Sequence, residues 1–359
     1  MNPSLKGQKL LVILQYAPDE DFLSRVKTNH PDLEIVWHNP YTAGGGGNGA
    51  TAKPLPQGIF SDVTILCTWN FIPTPEEAPK LKLVQLTSAG ANHCYEHDVY
   101  KDKGIDFCTS NGTHPPQITE WVFATFLSFQ HRIPRFLDAQ KEGEWIRPSL
   151  DVLDSVGQRI GILGYGAIGR QCARVGKAFG MDVIVYTMRE KTTPEARKDD
   201  SYNVPGTGDP GGLIPSKWYS GTSAENLNDF LAQDIDLLVI CLPLTPSTTN
   251  LIQKEQFQIL SKKKAFISNI ARGQIINTPD FIEALEKDLI RGAAVDVTDP
   301  EPLPKDHPLW KAPNIFVSPH VSWHSNNHRT RLLGVLETNL GRLSGGKPLI
   351  NLVDKEHGF

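Results

Sequence analysis

Short apolar runs bounded by turn residues alternate along the chain with longer amphipathic segments. In the first third, four runs have the length of buried strands: 9–14, 63–69, 82–87 and 105–110. Runs of this kind between amphipathic segments are typical of βα units. The pattern therefore predicts that parallel strands and helices follow one another in this part of the chain.

A second series of apolar runs extends to residue 319 and predicts six more strands. They lie at 159–164, 182–187, 236–242, 265–270, 293–297 and 314–319. These runs are nearly continuously apolar, as strands covered on both faces must be. Helices are predicted between them, including one at 166–180 and one that begins with Thr278 as N-cap and Pro279 as its first residue.

Two longer helices flank the second series. The segment 118–132 is apolar over much of its circumference, which predicts burial between domains or subunits. The segment 328–343 is a predicted helix with no strand after it, so it could return to pack on the first domain. Residues 199–223 are rich in Gly, Pro and Asp and form a predicted insertion after the second strand of the series.

The predicted fold class is α/β, with two doubly wound parallel-sheet domains and an interdomain cleft. Residues 117–325 form one predicted domain, of the Rossmann type. The other predicted domain is flavodoxin-like and discontinuous, with 1–116 and 326–359 as its two pieces. A length of 359 residues agrees with two domains.

Composition narrows the possible function classes. The net charge is −4, so we expect neither nucleic acid nor an anionic membrane as a partner. No apolar run approaches the roughly 18 residues of a membrane span, and the N-terminal residues lack the features of a signal peptide. The five cysteines have no metal or redox spacing, so we expect no metal site and a reducing, cytoplasmic setting.

The segment GILGYGAIGR carries the pattern G-x-G-x-x-G at Gly164, Gly166 and Gly169. It follows a predicted strand and opens a predicted helix, which is the context that a dinucleotide-binding loop requires. Gly164 allows the tight turn, Gly166 lets the backbone approach a pyrophosphate, and Gly169 lets helix and strand pack closely. The helix N-terminus offers free N–H groups to the anion. We therefore expect 117–325 to be the dinucleotide-binding domain and the discontinuous domain to bind the substrate.

The next predicted strand, DVIVYT, ends without the acidic residue that binds the ribose hydroxyls of NAD. Thr187 stands there instead; it removes the repulsion of a 2′-phosphate and can donate a hydrogen bond to it. Arg189, Lys191 and Arg197 can supply positive charge, whereas Glu190 reduces it. We therefore expect NADP(H) to be preferred, with NAD(H) possible. The alternative is that these residues are solvated surface charges.

Polar residues also follow the last three predicted strands: Arg272, Glu301 and His320. Strand carboxyl ends in a doubly wound sheet face the ligand crevice. Reduction of a 2-oxo acid needs a guanidinium that binds the carboxylate and polarises the carbonyl, and an imidazolium that delivers a proton. It also needs a carboxylate that orients the imidazole and favours its charged form. The three residues match these roles.

Five segments in order resemble the motifs of the D-isomer-specific 2-hydroxyacid dehydrogenase family: LGYGAIGR, CLPLTPSTTNLI, SNIARGQIIN, GAAVDVTDPEPLP and SPHVSW. In the first domain, LVQLTSAGANH resembles the substrate loop of that family. The resemblance implies reduction of a 2-oxo acid to a D-2-hydroxy acid, with Arg272, Glu301 and His320 as the catalytic residues. It also implies a homodimer in which coenzyme domains pair, and to which the helix at 118–132 could contribute.

The resemblance also implies the residues that contact ligands. Backbone N–H groups of the substrate loop are expected to hold the substrate carboxylate. Asp296 is expected near the nicotinamide carboxamide, although it could be only a structural acid at a strand end. The implied cofactor residues are Gly164, Gly166, Ala167, Ile168, Gly169, Thr187, Arg189, Leu242, Pro243, Thr248, Ile270, Ala271, Arg272, Asp296 and His320. The implied substrate residues are Ser88, Ala89, Gly90, Ala91, Arg272 and Trp323.

The Thr-x-Arg end of the second strand resembles the NADPH-preferring glyoxylate/hydroxypyruvate reductases of the family. Glyoxylate and hydroxypyruvate are therefore the first candidate substrates. The insertion departs from the family pattern, and so do Ser322, Trp323 and His324, which replace the usual small residues after the histidine. Trp323 could narrow the pocket, stack on a larger substrate or be a domain-interface aromatic residue.

Three alternative functions can be compared with the sequence, and two of them are disfavoured. Trp69 and Trp323 also suit a reductase of bulky or aromatic 2-oxo acids. A formate dehydrogenase would carry a neutral residue in place of Glu301. A nucleotide-sensing scaffold like the C-terminal binding co-repressors would carry an NAD-type acid after the second strand and a disordered interaction tail, and the chain has neither.

Overall fold

The computed structural model describes residues 5–40, 53–147 and 152–355. The chain divides into two compact units, one made of Met1–Thr113 and Asn326–Phe359 and the other of His114–Ser325. Each unit is built on its own parallel sheet with helices. The predicted α/β class with two parallel-sheet domains is thereby confirmed.

The first piece of the first unit contains β1 (Lys9–Ile13), α1 (Glu20–Asn29), β2 (Glu34–His38), β3 (Ile65–Thr68), β4 (Leu83–Leu86), α2 (Asp98–Lys101) and β5 (Asp106–Cys108). The strands form a parallel sheet in the order β2-β1-β3-β4-β5, which is the flavodoxin-like order. Helix α1 begins where the Asp19 side chain accepts a hydrogen bond from the Phe22 N–H, a typical N-cap.

Strand β2 was missing from the sequence prediction. It lies at the edge of the sheet, and all five of its residues are exposed or half-exposed. Its sequence, EIVWH, begins and ends with polar residues because only part of this strand contacts the core. An edge strand of this kind lacks the continuous apolar run by which the central strands could be found.

The second unit begins with α3 (Pro115–Gln130), α4 (Ile133–Lys141), β6 (Arg159–Leu163), α5 (Ala167–Ala178), β7 (Asp182–Thr187), α6 (Pro194–Arg197), β8 (Lys217–Ser220) and α7 (Ala224–Leu231). It continues with β9 (Leu237–Ile240), α8 (Lys254–Leu260), β10 (Phe266–Asn269), α9 (Thr278–Glu286), β11 (Gly292–Val295) and β12 (Ile315–Val317). The seven parallel strands have the order β12-β11-β10-β9-β6-β7-β8, which is the Rossmann order with one further strand.

Two details of the second unit correct the prediction. The segment 199–223 is not wholly an insertion, because its last part forms β8, the edge strand that pairs with β7. The N-cap of α9 is Asn277 rather than Thr278, because the Asn277 side chain accepts a hydrogen bond from the Asp280 N–H. The Thr278 hydroxyl instead donates to the carbonyl of Asp299.

Helix α3 packs inside its own unit. It contacts α5, β10 and β11; Phe123 stacks on Phe179 with 5.5 Å between ring centroids, and Phe126 packs on Phe266 at 5.6 Å. Its apolar surface is therefore buried within the second unit, so burial between domains or subunits is not needed to explain its composition.

The final helix, α10 (His328–Ser344), returns to the first unit and packs against α1. Leu332, Leu336 and Leu340 join the core beneath β1 and β3. The buried Asn339 donates to Gln85 Oε1 on β4 at 2.9 Å and accepts from the Ile350 N–H at 2.9 Å. Because this amide is buried and hydrogen-bonded on both sides, it fixes the helix and the following segment to the sheet.

A buried polar cluster attaches the residues before β8 to the glycine-rich segment. The Arg170 guanidinium, 4% exposed, lies 3.2 Å from the Asp199 carboxylate and donates to the carbonyls of Asp209 and Arg197. The Tyr165 hydroxyl donates to Asp209 Oδ2 at 2.7 Å. Both Tyr165 and Arg170 belong to the segment GYGAIGR, so the cluster joins 199–213 directly to that segment.

We expect Arg170→Ala to lower the free energy of unfolding by about 3 kcal/mol, because it leaves a partly buried carboxylate and two carbonyls without their donor. Urea denaturation at neutral pH measures the change. Arg174→Ala is the matched control on the same helix, since Arg174 is exposed and donates to the Gly208 carbonyl at 3.3 Å; its loss should cost less than about 1 kcal/mol. Equal losses in the two variants would refute this account of the anchor.

Candidate active site

The turn between β6 and α5 requires glycine at two positions. Gly164 has φ of +96°, and a Cβ there would lie 2.8 Å from the Cys241 carbonyl oxygen. A Cβ on Gly169 would lie 2.2 Å from the Gly164 carbonyl oxygen. These contacts give the tight turn and the close helix–strand packing that the motif predicts.

Gly166 has a different role, because a Cβ at this position would meet nothing within 4 Å. It is the N-cap residue of α5, and no side chain caps the helix there. The following residues, Ala167 and Ile168, therefore begin a helix whose first N–H groups are free of a side-chain acceptor. An open, uncapped helix N-terminus fits the pyrophosphate of a dinucleotide.

The end of β7 differs in detail from the prediction. The Thr187 hydroxyl donates to the Arg189 carbonyl at 2.8 Å, so its proton is already used within the turn. Arg197 donates through Nε to the Lys191 carbonyl and lies over the Trp218 ring, so this arginine shapes the loop. The exposed Arg189 is therefore the basic group at this strand end that is best placed to meet a phosphate.

The loops after β9 and β10 reach the same edge of the sheet. Leu242 contacts the site of Gly164, and the Thr248 hydroxyl donates to the Pro243 carbonyl at 2.8 Å. Ile270 and Ala271 are buried directly after β10. The structure therefore places these predicted cofactor residues at the carboxyl ends of neighbouring strands, beside the glycine turn.

Arg272 follows these residues and is half-buried. Its guanidinium donates to the Ala271 carbonyl at 2.7 Å. A buried residue that the sequence analysis did not single out, Asn269, fixes the backbone here: its side chain accepts from the Ala271 N–H and donates to the Arg272 carbonyl. A Cβ on Gly273 would lie 2.0 Å from the Thr298 carbonyl carbon, so glycine lets this turn approach the loop that carries Glu301.

Glu301 and His320 form a direct pair. The Nδ1 of His320 lies 2.7 Å from Oε1 of Glu301, and the two side chains are 34% and 36% exposed. Burial by itself would raise the pKa of the Glu301 carboxyl, but the hydrogen bond and charge of His320, with smaller contributions from Thr298 and Arg272, lower this pKa below its ordinary value of 4.5. The carboxylate is therefore ionised at neutral pH, and it orients the ring so that Nε2 is left for a ligand.

Asp296 lies at the end of β11 and is 1% exposed. Its carboxylate accepts hydrogen bonds from the Ser318 hydroxyl at 2.5 Å and from the N–H groups of Val321 and Ser322 at 2.9 Å each. These contacts favour a structural role for Asp296, because its carboxylate holds the loop that carries His320.

Trp323 is half-buried, and its indole N–H donates to the His320 carbonyl at 2.9 Å. Its ring packs against the core shared by α3 and α5. These contacts are with the loop of His320 and with the core, and the predicted contact of Trp323 with a substrate stays a prediction.

The predicted substrate loop lies in the first unit, after β4. Ser88 donates to the Gly90 carbonyl at 2.7 Å, and Ala91 precedes a short 3-10 helix at Asn92–Cys94. Ala89 is exposed. Trp69 follows β3 at the same edge of this sheet, is 49% exposed, and its carbonyl lies 2.8 Å from the His93 ring.

Among the described residues, no group of three or more His, Cys, Asp or Glu side chains could hold a metal ion. No described helix is both long and apolar enough to cross a membrane. All five cysteines are free thiols.

Comparisons with known proteins agree with this geometry. Residues 123–205 and 216–322, more than half of the chain, match the family model described as D-isomer specific 2-hydroxyacid dehydrogenase, NAD binding domain. The unmatched residues between them fall within the predicted insertion.

Human glyoxylate reductase/hydroxypyruvate reductase is 31% identical over 287 residues, which cover 78% of this chain and 80% of the human protein. D-3-phosphoglycerate dehydrogenase of Methanocaldococcus jannaschii is 31% identical over 247 residues, which cover 68% of this chain but only 42% of that protein. A solved D-isomer specific 2-hydroxyacid dehydrogenase from Xanthobacter autotrophicus Py2, in complex with NADPH and MES, has a TM-score of 0.72 at 26% identity and covers 98% of this chain and 100% of its own.

Proposed function

The chain belongs to the D-isomer specific 2-hydroxyacid dehydrogenase family, and we propose that it uses NADPH to reduce a small 2-oxo acid, first of all glyoxylate or hydroxypyruvate, to the D-2-hydroxy acid. Members of this family are oxidoreductases that use a nicotinamide cofactor. The observation that carries the proposal is the 2.7 Å pair of Glu301 and His320. It lies on the sheet whose first βα turn fits a dinucleotide.

Each residue of the trio has a role in this reaction. When bound, the reduced nicotinamide supplies the hydride that adds to C2 of the substrate. Arg272 binds the substrate carboxylate and polarises the carbonyl. As the carbonyl oxygen gains charge, Nε2 of His320 gives it a proton. The resulting neutral imidazole recovers its proton from solvent, and Glu301 keeps the ring in one orientation throughout.

The preference for NADPH rests on the end of β7. No carboxylate stands at position 187, so the 2′-phosphate meets no repulsion there, and the exposed Arg189 offers a planar donor set that suits phosphate. Lys191 in the same loop adds charge. The solved relative from Xanthobacter autotrophicus Py2 was obtained with NADPH, which agrees with this choice of cofactor.

The two units have matching roles in the proposal. The unit that carries the glycine turn and the trio, near 117–325, is the coenzyme domain. The other unit, near 1–116 and 326–359, is the substrate domain, in which backbone N–H groups at Ser88–Ala91 receive the substrate carboxylate. The free thiols suit a cytoplasmic location.

The partner of the coenzyme domain in the proposal is a second copy of the chain. Helix α4 and the residues after it expose large apolar side chains: Ile133, Phe136, Leu137 and Trp145, the last of which is 87% exposed. Ile133, Phe136 and Leu137 share one face of α4 because they stand at i, i+3 and i+4, and exposed apolar patches mark interaction sites. The interface is therefore assigned to α4 rather than to the predicted α3.

Steady-state oxidation of NADPH and of NADH, at equal concentrations, tests the function with glyoxylate, hydroxypyruvate and phenylpyruvate. We expect the wild type to turn over the small oxo acids with NADPH. In His320→Ala, kcat should fall at least 100-fold with unchanged NADPH binding, since general acid catalysis contributes a factor of roughly 10² to 10⁴ to the rate. Arg189→Ala should raise KM for NADPH about tenfold and leave KM for NADH unchanged. Faster turnover of NADH in the wild type would contradict the cofactor assignment, and faster turnover of phenylpyruvate would contradict the substrate class.

The pH profile of reduction tests the pair of Glu301 and His320. Because the hydrogen bond and charge of His320 lower the pKa of the Glu301 carboxyl below its ordinary value, kcat/KM should be retained as the pH falls from neutral towards that ordinary value and be lost only below it. In Glu301→Gln the neutral amide holds the ring less firmly. We expect kcat/KM at pH 7 to fall about tenfold or more, with Glu301→Asp intermediate. An unchanged kcat/KM in Glu301→Gln would show that the carboxylate does not act through the histidine.

Size-exclusion chromatography with light scattering tests the homodimer. The wild type should have twice the mass of the chain, whereas Phe136→Glu combined with Leu137→Glu should give a monomer, because two charges would have to be buried at the interface. Arg135→Glu is the control, since Arg135 is exposed and its position in α4 lies away from the face of Phe136 and Leu137; it should leave the dimer intact. A monomeric wild type at micromolar concentration would refute the assignment.

A further inference from the structure

The backbone of His320 adopts an uncommon conformation. Its φ is +55°, in the left-handed region that residues other than glycine rarely occupy. Such a conformation costs of the order of 1–3 kcal/mol and persists only where neighbouring groups enforce it. The ring that contacts Glu301 therefore depends on whatever holds this one residue in place.

Both backbone polar groups of His320 are held from outside the residue. Its N–H donates to the Asp296 carbonyl at 2.8 Å, with the Ser318 carbonyl at 3.0 Å. Its carbonyl accepts the indole N–H of Trp323 at 2.9 Å. The donor on the carbonyl side is a side chain, so a single substitution can remove it.

The indole is itself fixed in place. The Trp323 carbonyl accepts a hydrogen bond from the Gln117 side chain at 2.8 Å, and Gln117 is buried on α3. The ring packs against the core of the second unit, and its centroid is 4.0 Å from that of the His324 ring. Trp323 therefore holds its N–H at one point, directly against the turn of His320.

We propose that Trp323 is a positioning residue for the proton donor: its indole N–H keeps His320 in the left-handed conformation that points the ring at Glu301. It does so in place of lining the substrate pocket. This inference rests on the proposed function only for its kinetic test. Without the indole donor, His320 can relax towards negative φ, and a displacement of about 1 Å at a catalytic group can lower the rate roughly 100-fold.

The central test is Trp323→Phe, which keeps an aromatic ring and removes the donor. We expect kcat to fall by about tenfold to 100-fold, by the same factor for glyoxylate and for phenylpyruvate, with KM for NADPH unchanged. A fall that depends on the size of the oxo acid would overturn the proposal in favour of a substrate contact. An unchanged kcat would overturn it outright.

Trp37→Phe is the matched control. The Trp37 indole N–H also donates to a backbone carbonyl, that of Tyr16 at 2.9 Å, but in the first unit. Trp37→Phe should leave kcat unchanged, so a loss of kcat there equal to that of Trp323→Phe would mean that the effect is general destabilisation.

In a Glu301→Gln background, Trp323→Phe should lower kcat by a smaller factor than in the wild type, because both residues act through His320. Fully additive losses would contradict a shared target.

A crystal structure of Trp323→Phe separates this inference from the proposed function. If the wild type reduced no 2-oxo acid, the proposed function would fail, whereas the position of His320 in the variant would still decide the inference. A displaced ring, no longer within hydrogen-bond distance of Glu301, is expected. A left-handed His320 with the Glu301 contact intact would refute it. Gln117→Met, which removes the donor to the Trp323 carbonyl, is the second variant if Trp323→Phe does not fold. It is expected to lower kcat and displace the His320 ring in the same way, but by less.

Discussion

The chemistry of the second unit depends on one constraint, which is that its seven strands are all parallel. The interiors of the five central strands are buried and apolar, so charged groups stand where these strands begin or end. Because the strands run the same way, all their carboxyl ends meet at one edge. The glycine turn after β6, Arg272 after β10 and the loops after β11 and β12 follow these ends in neighbouring strands.

Buried carboxylates stabilise the loops at this edge and beside it. Asp296 accepts backbone N–H groups from the loop of His320, and Asp209 likewise accepts those of Leu213 and Ile214. A carboxylate removed from water is tolerated only when donors surround it, and hydrogen bonds to a charged acceptor are stronger than neutral ones. Each acid thereby fixes a segment that has no regular secondary structure.

The central strands and the proximity of Glu301 and His320 could be predicted because both follow from strand order and from continuous apolar runs. The edge strands β2 and β8 could not, since half-exposed strands lack that signal. The acceptors of individual hydrogen-bond donors could not be predicted either. The Thr187 hydroxyl and the Trp323 indole bond to carbonyls whose direction depends on local backbone torsions, and no spacing in the sequence encodes those torsions. Asn269 could have been singled out from the sequence, because it is a polar residue at the end of a buried strand.

The anchoring of residues 199–213 has a consequence for how this protein could be altered or could have arisen. Its two attachment points on α5 and the preceding turn, Tyr165 and Arg170, occupy variable positions in and directly after the glycine motif. The motif therefore serves two purposes at once, since its glycines shape the turn while its other residues hold a neighbouring loop. Transplanting the loop into a related scaffold would require that Tyr165, Arg170 and Asp209 travel together. The three residues act as one hydrogen-bonded unit, although Asp209 lies far from the other two in the sequence.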